Sequence, residues 1–333
     1  MKTILVLAAV SVAFAQTQPE VKNAQFETRS LSGSLDSVLR ANEPAWFGYA
    51  ITTVQRGDDH SYGGCELEDG HAHERVRQSS PVKLEGSREA FLLYRVENNE
   101  VKKIRLYSSN CAFDAGRKRF VWVSGVPMRE SLEYLAGLVR GERTQGVSDS
   151  AIFAIAQHDA THADELLEKF AQPGSSTHVR EQAIFWMGAS RGARGAAALR
   201  NILQRDSDDQ VRAKAVFALS ISSEPGVMSA VIEAAEHDPS PHVRGQALFW
   251  LAQKAGKKAA GTIENAMVND PDRAVKRQAV FALSQLPKDE SVPKLIEAAR
   301  TQKDPEVRKQ AFFWLGQSND PRALAFFRQV LKE

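Results

Sequence analysis

One helix is written six times in this chain at intervals of 32 residues, without an insertion or a deletion. Its anchors are Val147, Val179, Val211, Val243, Val275 and Val307. Four residues after each anchor stands an alanine, from Ala151 to Ala311. Two further on stands a phenylalanine: Phe153, Phe185, Phe217, Phe249, Phe281 and Phe313. A fixed period of this length belongs to solenoids, in which a helical pair cannot bury its apolar face alone and stacks on its neighbours instead. Twelve residues before each valine lies an apolar residue on a preceding helix: Leu135, Leu167, Leu199, Val231, Ile263 and Leu295. Asp-Pro pairs separate the two helices of several units, as at Asp238-Pro239, Asp270-Pro271 and Asp304-Pro305. Aspartate ahead of a helix can cap its free N–H groups, and proline is tolerated in the first turn. The expected fold is mostly α: a right-handed α-solenoid over residues 128–333, six units plus a C-terminal capping helix, behind a small N-terminal α+β domain over residues 16–127.

The string Asp-Pro-x-x-x-Val-Arg-x-x-Ala-x-Phe-x-Leu, clear in Asp238–Leu251 and, with Lys for Arg, in Asp270–Leu283, resembles HEAT repeats, particularly the short type named after phycobilisome lyase subunits. The segments Val21–Ala24, Asn110–Gly116 and Trp122–Val126 are similar to the head of exported bacterial HEAT-repeat proteins. These resemblances imply the domain arrangement and no particular activity, since such repeats serve adaptors, lyase subunits and a metal-dependent hydroxylase alike.

In the head, Trp46–Val54, Phe91–Val96, Val101–Tyr107 and Phe120–Val123 read as strands, with Glu97-Asn98-Asn99-Glu100 as a hairpin turn and Leu31–Arg40 holding a short helix. Met1–Lys2, the apolar run Ile4–Ala15 and the small-residue site Ala13-Phe14-Ala15 read as a signal peptide over residues 1–15. That run is short of the roughly 20 apolar residues needed to span a bilayer, so the expectation is an exported protein, periplasmic or secreted, with no membrane span. In that setting the only two cysteines, Cys65 and Cys111, read as one disulfide. The charge, 43 basic against 41 acidic residues, lacks the concentrated basic surface that nucleic acid requires.

Three groups of residues stand out as candidate sites. Arg180, Arg212, Arg244, Lys276 and Arg308 form a row that reads as a ladder with Asp206, Asp238 and Asp270, or as a basic stripe for acidic partners. The residue after the repeated phenylalanine alternates Ala154, Trp186, Ala218, Trp250, Ala282, Trp314, so the full period is 64. Both the phenylalanines and the tryptophans are expected in the repeat core, large against small. His60, His71, His73 and Glu74 sit in a glycine-rich polar stretch where zinc or copper binding is the alternative to solvation. Deoxyhypusine hydroxylase, a HEAT-repeat enzyme, holds iron through His-Glu pairs on its repeats. Here the only His-Glu pair, His73-Glu74, lies outside them, and no nucleophile elbow or phosphate loop is present.

The resulting expectation is a protein-binding scaffold without cofactor. A metal-dependent oxidoreductase or a phycobilin-lyase-like enzyme is the alternative. Second-helix positions two residues after the valine vary between units (Glu181, Ala213, Gly245, Arg277, Lys309) and are expected to be exposed, with Arg277 and Lys309 contacting a protein partner. Mass spectrometry of the mature protein is expected to find its N-terminus at Gln16 or within a few residues; an intact Met1–Ala15 segment would refute the signal peptide.

Overall fold

The computed structural model describes residues 18–54, 65, 67, 88–141 and 144–332. Two compact units divide between Asp159 and Ala160.

The first unit is built on a five-stranded mixed sheet. Its strands are β2 (Gln25–Ser30), β3 (Ala45–Thr52), β4 (Glu89–Glu97), β5 (Glu100–Ser108) and β7 (Arg119–Ser124), in the order β2-β7-β3-β4-β5. β7 runs parallel to both β2 and β3, and the other pairs are antiparallel. Asn98 and Asn99 turn the β4–β5 hairpin with φ of 52° and 57°, the left-handed pair that a two-residue turn needs. A separate parallel pair joins β1 (Glu20–Lys22) to β6 (Ala112–Asp114).

Both faces of the central strands are buried. Trp46, Phe91, Leu93, Phe120 and Trp122 join Phe113 and Tyr107 in one aromatic core, and Leu67 and Cys111 close it. Cys65 and Cys111 are disulfide-bonded, with Cα atoms 5.5 Å apart.

Helices α1 (Leu35–Val38), α2 (Met128–Arg140) and α3 (Gln145–Gln157) complete this unit. The first unit therefore extends past Pro127, because α3 is joined to the sheet by its backbone. Val54 N donates to Gln157 O at 2.9 Å, and Asp159 N donates to Thr52 O at 3.0 Å.

The second unit is a stack of helical pairs: α4 (Thr161–Ala171) with α5 (Thr177–Ser190), α6 (Gly192–Arg205) with α7 (Asp209–Ile221), α8 (Val227–His237) with α9 (Pro241–Ala255), α10 (Ala260–Asn269) with α11 (Arg273–Ser284), and α12 (Lys288–Thr301) with α13 (Pro305–Gln317). α14 (Pro321–Val330) follows. The first-helix column Leu167, Leu199, Val231, Ile263 and Leu295 is buried, as is the alanine column Ala183, Ala215, Ala247, Ala279 and Ala311.

Arginines and aspartates tie successive pairs together. Arg180 donates to Asp206 at 2.6 Å. Arg212 grips Asp238 with two bonds of 2.9 Å, and Arg244 grips Asp270 at 2.7 and 2.9 Å. Arg212 and Arg244 also donate, each at 2.9 Å, to the carbonyls of Asp206 and Asp238 in their own loops. These aspartates end the first helices and do not cap the second ones. Ser240 and Asp272 occupy the N-cap positions instead, and only Asp304 of the three Asp-Pro aspartates caps its helix. Lys276 makes no rung, because Gln302 stands 26 residues ahead of it, where the earlier units carry an aspartate. Lys276 turns to Val268 O at 2.8 Å, and Arg308 donates to Gln302 O at 2.7 Å.

The position three residues after each phenylalanine is small throughout, for close helix approach. A Cβ added at Gly188 would lie 2.2 Å from the Ala218 carbonyl oxygen of the next unit, whereas one at Gly316 meets nothing within 4 Å. Gly188→Ala is therefore expected to cost about 1–3 kcal/mol by overpacking. Gly316→Ala, at the same repeat position, should be neutral or stabilising by up to about 1 kcal/mol. Chemical denaturation of the two variants checks the opposite signs.

Candidate functional site: an aromatic stripe on the second helices

The repeated phenylalanines and tryptophans lie at the margin of the core and are not fully buried within it. Phe185, Phe217, Phe249 and Phe281, with Trp186, Trp250 and Trp314, are partly exposed. Phe313 is 52% exposed. Phe153, on α3 of the first unit, is likewise only partly buried. Helical geometry gives the reason. At about 100° per residue, the alanine and leucine four and eight places after the valine lie about 40° and 80° from it. The phenylalanine, six places on, has turned to about 120° on the other side, whereas the tryptophan, seven places on, stays within about 20° of the valine, where its alanine counterparts Ala154, Ala218 and Ala282 are fully buried. The core is accordingly carried by residues such as Val211, Ala215 and Leu219, all nearly or fully buried.

On the second unit these rings join into one unbroken stripe. Trp186 packs edge-on against Phe185 at 4.9 Å, and Phe185 stacks on Phe217 at 6.1 Å. Phe217 meets Trp250 of the next unit at 4.7 Å, and Trp250 meets Phe249 at 4.9 Å. Phe249 stacks on Phe281 at 5.9 Å, Phe281 meets Trp314 at 5.1 Å, and Trp314 meets Phe313 at 5.0 Å. The 64-residue rhythm is thus explained: each of Trp250 and Trp314 leans back over the phenylalanine of a unit that carries alanine at the same position.

Amides border the stripe. One turn before the phenylalanines stand Gln182, Gln246, Gln278 and Gln310, partly exposed. One turn after stand Gln253, Gln285 and Gln317, exposed. Gln253 Nε2 donates to Gln285 Oε1 at 3.4 Å along that second column. Lys214, in the first column, pairs with Glu181 at 3.1 Å. Arg277 and Lys309 are exposed beside the C-terminal end of the stripe. Ala213 and Gly245, expected at the surface, are buried, because their column faces the adjoining unit. A Cβ on Gly245 would lie 3.4 Å from Gln278 Cγ.

The first unit holds a buried polar chain that the sequence did not announce. His158 Nδ1 bonds Ala154 O at 2.7 Å and Nε2 meets Ser131 Oγ at 2.8 Å. Ser131 Oγ meets Tyr49 Oη at 2.7 Å, and Tyr49 meets Tyr94 at 2.8 Å. A carbonyl only accepts, so Nδ1 carries the proton and Nε2 accepts from the serine hydroxyl. All four side chains are wholly buried, and burial raises the hydroxyl pKa of Tyr49 and Tyr94 well above the ordinary tyrosine range.

Among the described residues no group of three or more His, Cys, Asp or Glu side chains is placed to hold a metal ion. His60, His71, His73 and Glu74 lie outside the described residues. Also among the described residues, no helix is long and apolar enough to cross a membrane.

Residues 228–311 and 262–333 match the protein-family model for HEAT repeats. The repeat array is of HEAT type. No curated protein matches the chain. Solved structures similar to it include human deoxyhypusine hydroxylase in complex with glycerol, at 17% identity over 60% of this chain and 89% of that one, with a TM-score of 0.32. The CpcE–CpcF complex of phycocyanin lyase from Nostoc sp. PCC7120 is 21% identical over 46% of this chain and 99% of that one, with a TM-score of 0.35. Kap121p bound to Pho4p is 12% identical over 61% of this chain and 27% of that one, with a TM-score of 0.41. None of these likenesses bears on activity.

The partial exposure of the rings sets the outcome of truncation. Phe217→Ala is expected to cost about 1–2 kcal/mol, below the 3–5 kcal/mol of a fully buried phenylalanine. Leu219→Ala, two residues on and fully buried, should cost about 2–5 kcal/mol. Urea unfolding of both variants measures the order; an equal or larger loss at Phe217 would contradict the exposed stripe.

Proposed function

We propose that the protein is an exported scaffold that binds a protein partner through the aromatic stripe of its second helices and has no catalytic activity of its own. The observation that carries this reading is the continuity of the stripe: eight rings in mutual contact, left partly open to solvent across five second helices. Contiguous apolar surface is costly to leave exposed and marks interaction sites. Tryptophan is also enriched among the residues that dominate binding energy. Export is supported by the basic start and apolar run of residues 1–15 and is consistent with the Cys65–Cys111 disulfide.

Crosslinking of the full-length protein in its native envelope, followed by identification of the captured protein, tests the reading. Trp250→Ala should abolish capture of a defined partner. Glu233→Ala, at an exposed first-helix position, should leave it intact, with both variants folded by circular dichroism. Capture that survives Trp250→Ala would remove the stripe as the docking surface. Stoichiometric metal that is lost in a His71→Ala/His73→Ala variant would instead favour the enzyme.

A further inference from the structure

We infer that the outer edge formed by α13 and α14 takes an amphipathic helix from a protein partner, seated as a second helix sits in every earlier unit, with an aspartate just ahead of it for Arg308. This surface is independent of the docking proposed for the aromatic stripe.

The first observation is the apolar edge. α14 stands in the place of a first helix, and among the described residues only α12 and α13 pack closely on it. In each earlier unit a second helix packs on the first. Phe327, Val330 and Leu331 lie 32 residues after Leu295, Ala298 and Ala299, which are nearly or fully buried. The same three positions are buried in α6, α8 and α10. On α14 they are still apolar but open: Phe327 is partly exposed, Val330 is 38% exposed and Leu331 85%. Phe312 on α13 is also partly exposed, whereas its counterparts in α5, α7, α9 and α11 are fully buried. A repeat that ends a stack in water carries a polar outer face. This edge has the composition of an internal one.

The second is Arg308. Its Nη1 donates to Gln302 O at 2.7 Å and Lys303 O at 3.1 Å, as Arg212 and Arg244 hold their own loops. In those two the remaining edge, Nε and Nη2, grips an aspartate of the next unit. That aspartate stands three residues before the first residue of α9 or α11. Arg308 pairs with no carboxylate among the described residues and is only partly buried. A helix preceded by aspartate supplies the charge that this position takes elsewhere in the stack.

The third is Gly316. It shares its repeat position with Gly188, and both follow a tryptophan by two residues. At Gly188 the backbone of Ala218 on α7 fills the space where a Cβ would be, and at Gly316 that space is open. The occupant therefore resembles α7, with an alanine against Gly316 and an apolar face like that of Val211, Ala215 and Leu219. Within this chain the helices preceded by the aspartate, α7, α9 and α11, each already pack between two second helices. α13 itself has Gln302 at that position. A second copy thus offers no free helix of this kind, and the occupant comes from another protein, docked as a helix in a groove.

Fluorescence anisotropy on the full-length protein tests this, with a labelled peptide copying residues 205–222, which carry Asp206 and α7, as the probe. The expected result is saturable binding that weakens at least tenfold in Gly316→Leu, whose side chain fills the seat, and several-fold in Val330→Asp. Arg308→Gln should weaken it several-fold, and an Asp206→Asn peptide should lose about as much on the parent and nothing further on Arg308→Gln. Glu233→Ala, on an exposed first-helix position, should leave binding unchanged. Equal binding of a scrambled peptide, or binding that survives both Gly316→Leu and Val330→Asp, would overturn the proposal. So would a concentration-dependent dimer in sedimentation that Gly316→Leu abolishes, since a second copy would then be the occupant. Melting curves matching the parent exclude misfolding, and Val330→Asp alters an already open side chain should Gly316→Leu disturb the fold.

Discussion

The repeat array depends on the register enforced by its arginine–aspartate rungs. Each arginine from Arg180 to Arg244 reaches a carboxylate 26 residues ahead, in the next unit. Arg212 and Arg244 also hold a carbonyl of their own loops. The desolvation cost of such buried pairs offsets most of their attraction, so their net contribution to stability is small. Their effect is on spacing. An insertion within a unit would carry an aspartate out of reach and leave charges buried without partners, which is far more costly than never having had the pair. The uninterrupted 32-residue interval follows from this constraint as much as from apolar packing.

Register also creates the aromatic stripe. Because every second helix enters the stack at the same rotation, a residue six places after the valine emerges at the same edge in every unit. The rings therefore meet across unit boundaries at 4.7–6.1 Å. Ring–ring contact recovers part of the energy of leaving them partly exposed, about 0.5–1.5 kcal/mol per pair. It does not remove the exposed apolar surface, and that surface is the basis for reading the array as a binding platform.

The first unit follows different physics. Its central strands are apolar on both faces, so they need cover on both sides. One face lies in the aromatic core closed by Cys111 and its disulfide. On the other, Tyr49 and Tyr94 bring hydroxyls into a dry interior, where an unpaired polar group costs about 1–3 kcal/mol. Ser131 on α2 and His158 after α3 satisfy them. This hydrogen-bond chain, with the backbone link from Thr52 and Val54 to α3, explains why the first helical unit of the repeat pattern packs with the sheet.

Periodicity in the sequence was enough to determine the helical stack, the buried leucine and alanine columns and the aspartates facing arginines, because each recurs at one spacing and helix geometry converts spacing into direction. The β4–β5 hairpin was equally legible from Asn98-Asn99 between apolar runs. The strands Glu20–Lys22, Gln25–Ser30 and Ala112–Asp114 were not, since short, largely polar strands carry no alternation to reveal them. Only the tertiary structure decided that the phenylalanine–tryptophan row lies at the margin of the core, partly open to solvent. Hydrophobicity marks a residue as apolar, but which side of a helix faces its neighbours depends on how the helices rotate when they pack. It was likewise packing, through contacts 27 and 82 residues apart in the chain, that joined Ser131, His158 and Tyr49.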